Sequence, residues 1–383
     1  MIQFGAPLMF SLKTTGLQFG YFFALLFFII FLIRGLRGEN LADVILGCIM
    51  FFMAMLIQDY TFGFEGINFL WDELDGWPRH FPWLFPCSVY FYFLAQTNVN
   101  FKFTKKHLLH IIPYILYLVL SFILLIVGLT PKKGLFSSKI GVFWEIFLYL
   151  LNYGGIFYYF IKSLKIYKNY KLWTVNQYSN TFELELKWLR NFLFLFLVGA
   201  VIHISNTIID FIYELPFDQD YYWQLFTVVT IIYVGVSGLN QRQEKYLIFE
   251  PQSINPEKPK IKESSVDEVA FKERLQNYMV SEKPFLEPDL TLRDLASKLN
   301  TNTTFISGVI NNQFEKNFND FVNEYRVQEF QRAITNPVNQ NLTLVAIGYD
   351  CGFNSKATFN RAIKKFTGKM PSELQGMKDM ANL

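Results

Sequence analysis

The sequence predicts an all-α protein in two parts: an N-terminal polytopic helical membrane bundle and a C-terminal domain built from two paired-helix units. Three observations predict it. Apolar runs long enough to cross a bilayer core, about 20 residues each, recur along the chain and stop after Leu239. Of the 383 residues, 52% are hydrophobic and 19% aromatic, with 43 Phe, a composition too apolar for a purely soluble chain of this size. From Phe271 onward the sequence is polar with helical periodicity, and a pattern of capped helix, turn and second helix occurs in it twice.

Seven runs read as spans: Leu17 to Ile33, Leu41 to Ile57, Phe81 to Thr97, Leu108 to Leu129, Ile140 to Leu164, Leu189 to Tyr213 and Tyr222 to Leu239. The third is interrupted by Pro82 and Pro86 at its start and Gln96 at its end. The first run is too long for a cleavable signal peptide, has no basic segment before it, and is followed by Arg34 and Arg37. Basic residues set the orientation. One set of loops holds Arg34, Arg37, Lys102, Lys105, Lys106, Lys162, Lys165, Lys168, Lys171, Lys187, Arg190, Arg242 and Lys245, and the other only Lys13, Arg79, Lys132, Lys133 and Lys139. The N-terminus is therefore expected outside and the C-terminus in the cytoplasm. The outer segment from Asp59 to Arg79 sets acidic residues among Phe and Trp, as a surface cap or binding loop does.

Ionisable residues within spans are costly unless paired or functional. His203, Asn206 and Asp210 share one face of the sixth span, and Glu145 and Asn152 share a face of the fifth. These five define a candidate sensor pocket; the competing reading is hydrogen-bonding between helices, with Asp43, His110 and Asp210 at headgroup level. No metal-ligand spacing or nucleophile motif accompanies them, so no cofactor, metal site or enzymatic activity is expected. Cys48, Cys87 and Cys351 are too dispersed for a disulfide framework and are expected as free, buried thiols.

The cytoplasmic loop between the fifth and sixth spans is amphipathic from Phe182, as a segment lying on the membrane surface or touching the C-terminal domain would be. Residues 240–266 include EPQSINPEKPKIKESS, a Pro-, Lys-, Glu- and Ser-rich linker without periodicity. This gives three parts: 1–239 membrane sensor, 240–266 flexible linker, 267–383 C-terminal domain.

Within that domain, Thr291 and Asp294 form a capping-box-like pair before LRDLASKLN, a polar turn follows at Asn300 to Asn302, and a second helix comes next. On it Phe305, Ile306, Val309 and Ile310 face a core, leaving Thr303, Thr304, Ser307, Gly308 and Asn311 outward. The run FNDFVNEYRVQEFQRAI alternates faces like a long connecting helix. The second unit starts a helix at Thr343, breaks at Gly352, and caps a further helix with Ser355 that ends at Gly368 and Pro371. Phe359, Ala362, Ile363 and Phe366 form its core face. Lys356, Ala357, Asn360, Arg361, Lys364 and Lys365 form the other, with Ser355 and Thr358 at its start. Such a face suits a DNA groove: lysines for phosphates, Arg361 for guanine O6 and N7, Asn360 for an adenine edge.

The stretches LTLRDLA, the FxxFVNxYR run ending at Arg326, and GFNSxxTFNRxxKKxTGxxPS resemble those of the AraC/XylS family of bacterial transcription regulators, over about Phe271 to Leu374. The resemblance implies two helix-turn-helix units in successive major-groove turns, about 34 Å apart. It departs at Gly348, where the family usually has Ala, and at Met370, Leu374 and Gln375. The Gly is expected to cost about 1 kcal/mol of helix stability. The first unit carries no Lys or Arg on its outer face and should read bases more weakly than the second. From Asp267 to Leu383, 14 Lys and Arg balance 14 Asp and Glu, so binding should depend on the local basic cluster.

The expected protein is a regulator in the bacterial inner membrane that binds double-stranded promoter DNA under control of a seven-helix sensor. Its partners would be that DNA, the lipid bilayer, RNA polymerase, and a small-molecule or membrane-derived effector. A homodimer over adjacent half-sites is the simplest coupling. A transporter or membrane enzyme with an autoregulatory tail, or a passive anchor for a DNA locus, are the competing classes.

Overall fold

The computed structural model describes residues 12–67, 69–130, 138–182, 184–213, 220–241, 248–249 and 265–374. Those residues form helices, with isolated β-bridges but no strand among them. They divide into two compact units, one of Met1–Tyr167 with Lys187–Glu250, the other of Lys168–Leu186 with Pro251–Leu383. Most of the anticipated linker lies outside the described residues.

In the first unit α1 (Leu12–Arg37), α2 (Leu41–Phe64), the short α3 (Phe69–Asp72), α4 (Leu84–Thr97), α5 (Ile112–Val127), α6 (Lys139–Gln177), α7 (Lys187–Tyr213) and α8 (Asp220–Asn240) follow in order, with α6 continuing into the second unit. A 3₁₀ stretch, Lys105–Ile111, leads into α5. Among the described residues six helices are long and apolar enough to cross a membrane: Thr14–Arg37, Leu41–Phe64, Lys105–Val127, Lys139–Gln177, Lys187–Asp210 and Asp220–Asn240. The third expected span is not among them. The chain before Leu84 is not helical, and Pro86 sits in the first turn of α4, where no intrahelical N–H bond is lost. With 14 residues, α4 is about 21 Å long, short of the roughly 30 Å hydrocarbon core. Ten of those residues, from Pro86 to Thr97, are nonetheless buried, so α4 is an interior helix of the bundle.

Small residues let α1 approach its neighbours closely, as association without a hydrophobic driving force requires. A methyl group at Gly20 would strike Val228, one at Gly47 would press on the α1 backbone at Phe28 and Leu32, and one at Gly235 would enter the Phe27 ring. One end of the bundle is tied by charge. Arg34 donates to both oxygens of Asp43 at 2.6 and 2.5 Å and to the carbonyls of Gly238 and Leu239 at 2.9 and 3.3 Å. Asp43, read from sequence as a headgroup-level carboxylate, is thus a structural partner joining the ends of α1 and α8 to the start of α2. Near the other end of α2, the buried Asp59 takes Arg79 at 2.9 Å. Large apolar side chains on α5 and α6 face outward, Ile126 83%, Phe143 74% and Leu150 70% exposed, as lipid-facing residues are.

The second unit holds α9 (Ser265–Ser281), α10 (Leu292–Lys298), α11 (Thr303–Phe314), α12 (Phe318–Ala333), α13 (Leu344–Asp350) and α14 (Lys356–Thr367). It has two cores with α12 shared between them. Phe318, Phe321 and Val322 pack with Leu292, Leu295, Ile306 and Ile310. Val327 and Phe330 pack with Ile347, Phe353, Phe359 and Ile363.

Candidate nucleic-acid interface

Local sequence chemistry builds both helix pairs. The Thr291 side chain accepts from the Asp294 N–H at 3.1 Å and the Asp294 carboxylate accepts from the Thr291 N–H at 3.0 Å, closing the capping box on α10. Asn300, at φ 52°, turns the chain. Asn302 then caps α11 by accepting from Phe305 N–H at 2.8 Å. In the second pair Thr343 caps α13 through Ala346 N–H at 3.1 Å, and Ser355 caps α14 through Thr358 N–H at 3.2 Å. Gly368 ends α14 in the left-handed conformation, its N–H donating to Lys364 O at 3.0 Å.

Two glycines have structural reasons. Gly352 has φ 92°, and a side chain there would collide with the Phe285 carbonyl and the Leu286 backbone. Gly348, the expected helix-weakening departure, lies flat on the Phe359 ring, where a methyl carbon would come within 2.8 Å of Cδ2. The propensity lost by the glycine is exchanged for close packing of α13 on α14.

Arg326 joins the two pairs. Its side chain is fully buried; Nε donates to Phe285 O at 2.7 Å, and Nη2 to Glu287 O at 2.7 Å and Pro288 O at 3.2 Å. Burial pulls its pKa down to about 10, which leaves the guanidinium charged at neutral pH. The sequence places Arg326 in a motif but does not reveal this role. Leu374, another departure, fills the second core. Cys351 is buried, and burial pushes its thiol up to about 12.

The outward face of α14 carries Lys356, Arg361 and Lys364, all exposed, with Ala357 and Asn360 half-buried between them. Three expected contact residues have other positions. Ser355 is the cap; Thr358 is buried, its hydroxyl 2.9 Å from that of Ser355. Lys365 bonds Asp320 of α12 at 2.6 Å. At 56% side-chain exposure such a pair is weak enough to be exchanged for a phosphate. On α11, Thr304 and Asn311 are exposed, and Thr303, Ser307 and Gly308 half-buried. Asn311 donates to Ser307 Oγ at 3.3 Å. Open space beside Gly308 leaves the α11 backbone bare at the centre of this face. Neutral and shallow, α11 can read groove edges but supplies no charge.

Arg361 is engaged within the unit. Its guanidinium meets the Glu185 carboxylate at 2.8 Å and lies 5.5 Å from the centre of the Phe182 ring. Both belong to the segment between α6 and α7, whose amphipathic sequence suits the membrane surface as well as the C-terminal domain. The one signal for this contact in the sequence is an acidic, alternating ELEL stretch amid a loop otherwise rich in lysine.

In the first unit a cavity of about 100 Å³ is lined by Asn152 and Ile156 of α6, Phe196, Gly199 and His203 of α7, and Trp223 and Thr227 of α8, among others. It unites Asn152 and His203 of the expected sensor pocket; Glu145, Asn206 and Asp210 are not in its lining. Tyr153 orients the imidazole, its hydroxyl 3.0 Å from His203 Nδ1 and 2.9 Å from Thr207 Oγ1. Among the described residues no cluster of His, Cys, Asp and Glu has metal-site geometry.

Residues 295–377 match a family described as a helix-turn-helix domain, which indicates a DNA-binding domain in this part of the chain. A solved chain from Listeria innocua, described as a protein with unknown function, matches 27% of this chain and 94% of its own length, at 22% identity and a TM-score of 0.24. None of the curated proteins matches this chain.

Proposed function

With a DNA-binding helix-turn-helix domain in the second unit, we propose that the protein is a membrane-bound transcription regulator: its apolar helices cross the bacterial inner membrane, and its C-terminal domain binds promoter DNA from the cytoplasmic face. One observation carries this reading. A helix with a buried apolar face presents Lys356, Asn360, Arg361 and Lys364 outward, at the second position of a helix pair, on the same chain as six membrane-length helices. The cation set provides phosphate anchoring, and Arg361 and Asn360 provide base-edge donors and acceptors.

The N-terminus lies outside in this reading, with α4 as a seventh, shorter crossing. The support comes from the bundle's ends. The Thr97 carbonyl at the end of α4 accepts from the N–H of Phe249, nine residues past the end of α8, at 3.1 Å. The start of α4 follows Arg79, which bonds the far end of α2. A helix enclosed by protein has no bilayer thickness to match, so about 21 Å suffices. Membrane-impermeant maleimide applied to intact cells should label Glu73→Cys and leave Asn354→Cys unlabelled until the cells are permeabilised. Of the native thiols Cys87 and Cys351 are buried; Cys48, expected buried, is half-buried on α2, so both variants are made on a Cys48→Ser background. Labelling of Asn354→Cys in intact cells would overturn the topology.

The effector in this reading is a small apolar molecule that enters the cavity at Asn152 and His203, on helices leading to the domain that binds DNA. The DNA step is tested by salt. With full-length protein in lipid nanodiscs and a duplex of about 40 base pairs, replacing Lys356 and Lys364 by Ala should lower the slope of log K against log salt by about 0.9 for each phosphate that is no longer neutralised. An unchanged slope would remove both lysines from the DNA surface.

A further inference from the structure

The segment between α6 and α7 is tied to the DNA-binding domain through Tyr178, Ser179, Phe182 and Glu185. The Ser179 N–H donates to Leu290 O at 3.1 Å, and the Ser179 carbonyl accepts from Asn319 Nδ2 at 2.7 Å. Ser179 Oγ is 3.2 Å from Arg326 Nη2, and Tyr178 forms a β-bridge with Thr291. Ser179, Leu184 and Leu186 are buried, and Tyr170 of α6 donates to Leu184 O at 2.9 Å. Anchored in this way, the segment brings Glu185 and Phe182 to Arg361. A cavity of about 230 Å³ beside the contact is lined by Glu185, Asp320, Asn319, Thr358, Arg361 and Lys365, among others. Both cations of α14 that border it face a carboxylate, Arg361 that of Glu185 and Lys365 that of Asp320.

We propose that this segment is an internal competitor of DNA: the Glu185 carboxylate and the Phe182 ring occupy the Arg361 guanidinium where a phosphate or guanine edge would otherwise sit. The inference rests on the reading of α14 as a DNA-contacting helix. A carboxylate offers the guanidinium the same paired acceptor geometry as O6 and N7 of guanine, and an aromatic face offers a further cation site. The two states compete, since Glu185 holds the Nη1 donor that a base edge or phosphate would take and its carboxylate repels a phosphate brought beside it.

The segment has no independent anchor in sequence. It begins at the end of α6 and finishes at the start of α7, two of the membrane-length helices, and both contribute to the lining of the cavity holding Asn152 and His203. Any change in the spacing or rotation of α6 against α7 therefore strains the contact at Glu185. In the resting state the second helix pair is held back by its own chain, and a signal that shifts α6 against α7 frees it.

The test uses full-length protein in lipid nanodiscs. Duplexes are selected from a random library of about 30 base pairs by the wild type and, separately, by Phe182→Ala/Glu185→Gln, and the affinity of each protein for the enriched duplex is then measured by fluorescence anisotropy. The double variant should bind about tenfold more tightly than the wild type, on the scale of one exposed ion pair and one cation–π contact removed. In an Arg361→Ala background the same pair of substitutions should change affinity less than about twofold. Equal affinities of wild type and double variant for an enriched duplex would overturn the competitor while leaving DNA binding intact. Failure of both proteins to enrich any duplex would overturn the DNA-binding reading and the competitor with it.

Discussion

Replacing Arg326 by Leu is expected to destabilise the DNA-binding unit by about 3–5 kcal/mol, the scale for removing one partner of a buried hydrogen-bonded charge. The physical reason is the set of acceptors left behind. The carbonyls of Phe285, Glu287 and Pro288 converge on one guanidinium in a site from which water is excluded. Leucine supplies no donor, and a helix crossing both cores loses the link that fixes its register to the chain before α10. Lysine restores the charge but not the planar fork, so Arg326→Lys should recover only part of the loss. Hydrogen exchange of the full-length protein reads this directly: amides of α12 should lose protection in Arg326→Leu while those of α2 keep it. Unchanged protection of α12 would mean that the carbonyls find other partners.

Gly352→Ala is expected to act on the same spot from the other side. The position has φ 92°, and a methyl group would lie within 2.9 Å of Leu286 Cα as well as against the Phe285 carbonyl, the acceptor of Arg326 Nε. Left-handed strain and overpacking each cost on the order of 1–3 kcal/mol. A loss of about 2–6 kcal/mol is therefore expected from their sum. Because both substitutions disturb the Phe285 carbonyl, their effects should be non-additive. Hydrogen exchange on the single and double variants checks this; strictly additive losses would place the two residues in independent environments.

How much of this is legible in the sequence follows from the range of each interaction. The caps at Thr291, Thr343 and Ser355, the turn at Gly352 and the stop at Gly368 are local, and three- and four-residue spacing alone separates the Phe359 face of α14 from its Lys356 and Arg361 face. Asn152 and His203 are legible as one site because both are polar within apolar runs. Periodicity on α7 groups Asp210 with them, but the cavity runs along α7 from His203 toward Phe196, away from Asp210. The third span fails as a membrane-length helix because hydropathy does not distinguish a helix facing lipid from one enclosed by protein. Thr358 suggests a DNA contact by its place at the helix start, where its hydroxyl instead joins the Ser355 cap. Arg326 and Arg361 require the fold itself: their partners lie 41 and 176 residues away in sequence.

The central claim is that α14 places this membrane protein on specific DNA. Genome-wide crosslinking of the full-length, membrane-resident protein to DNA tests it most directly, with an Arg361→Ala/Lys364→Ala variant expressed to the same level in the same membrane. The account predicts a small number of sharp peaks that disappear in the variant and grow in Phe182→Ala/Glu185→Gln. Peaks that persist unchanged when Arg361 and Lys364 are removed would contradict it, because DNA would then be held by some other surface of the chain.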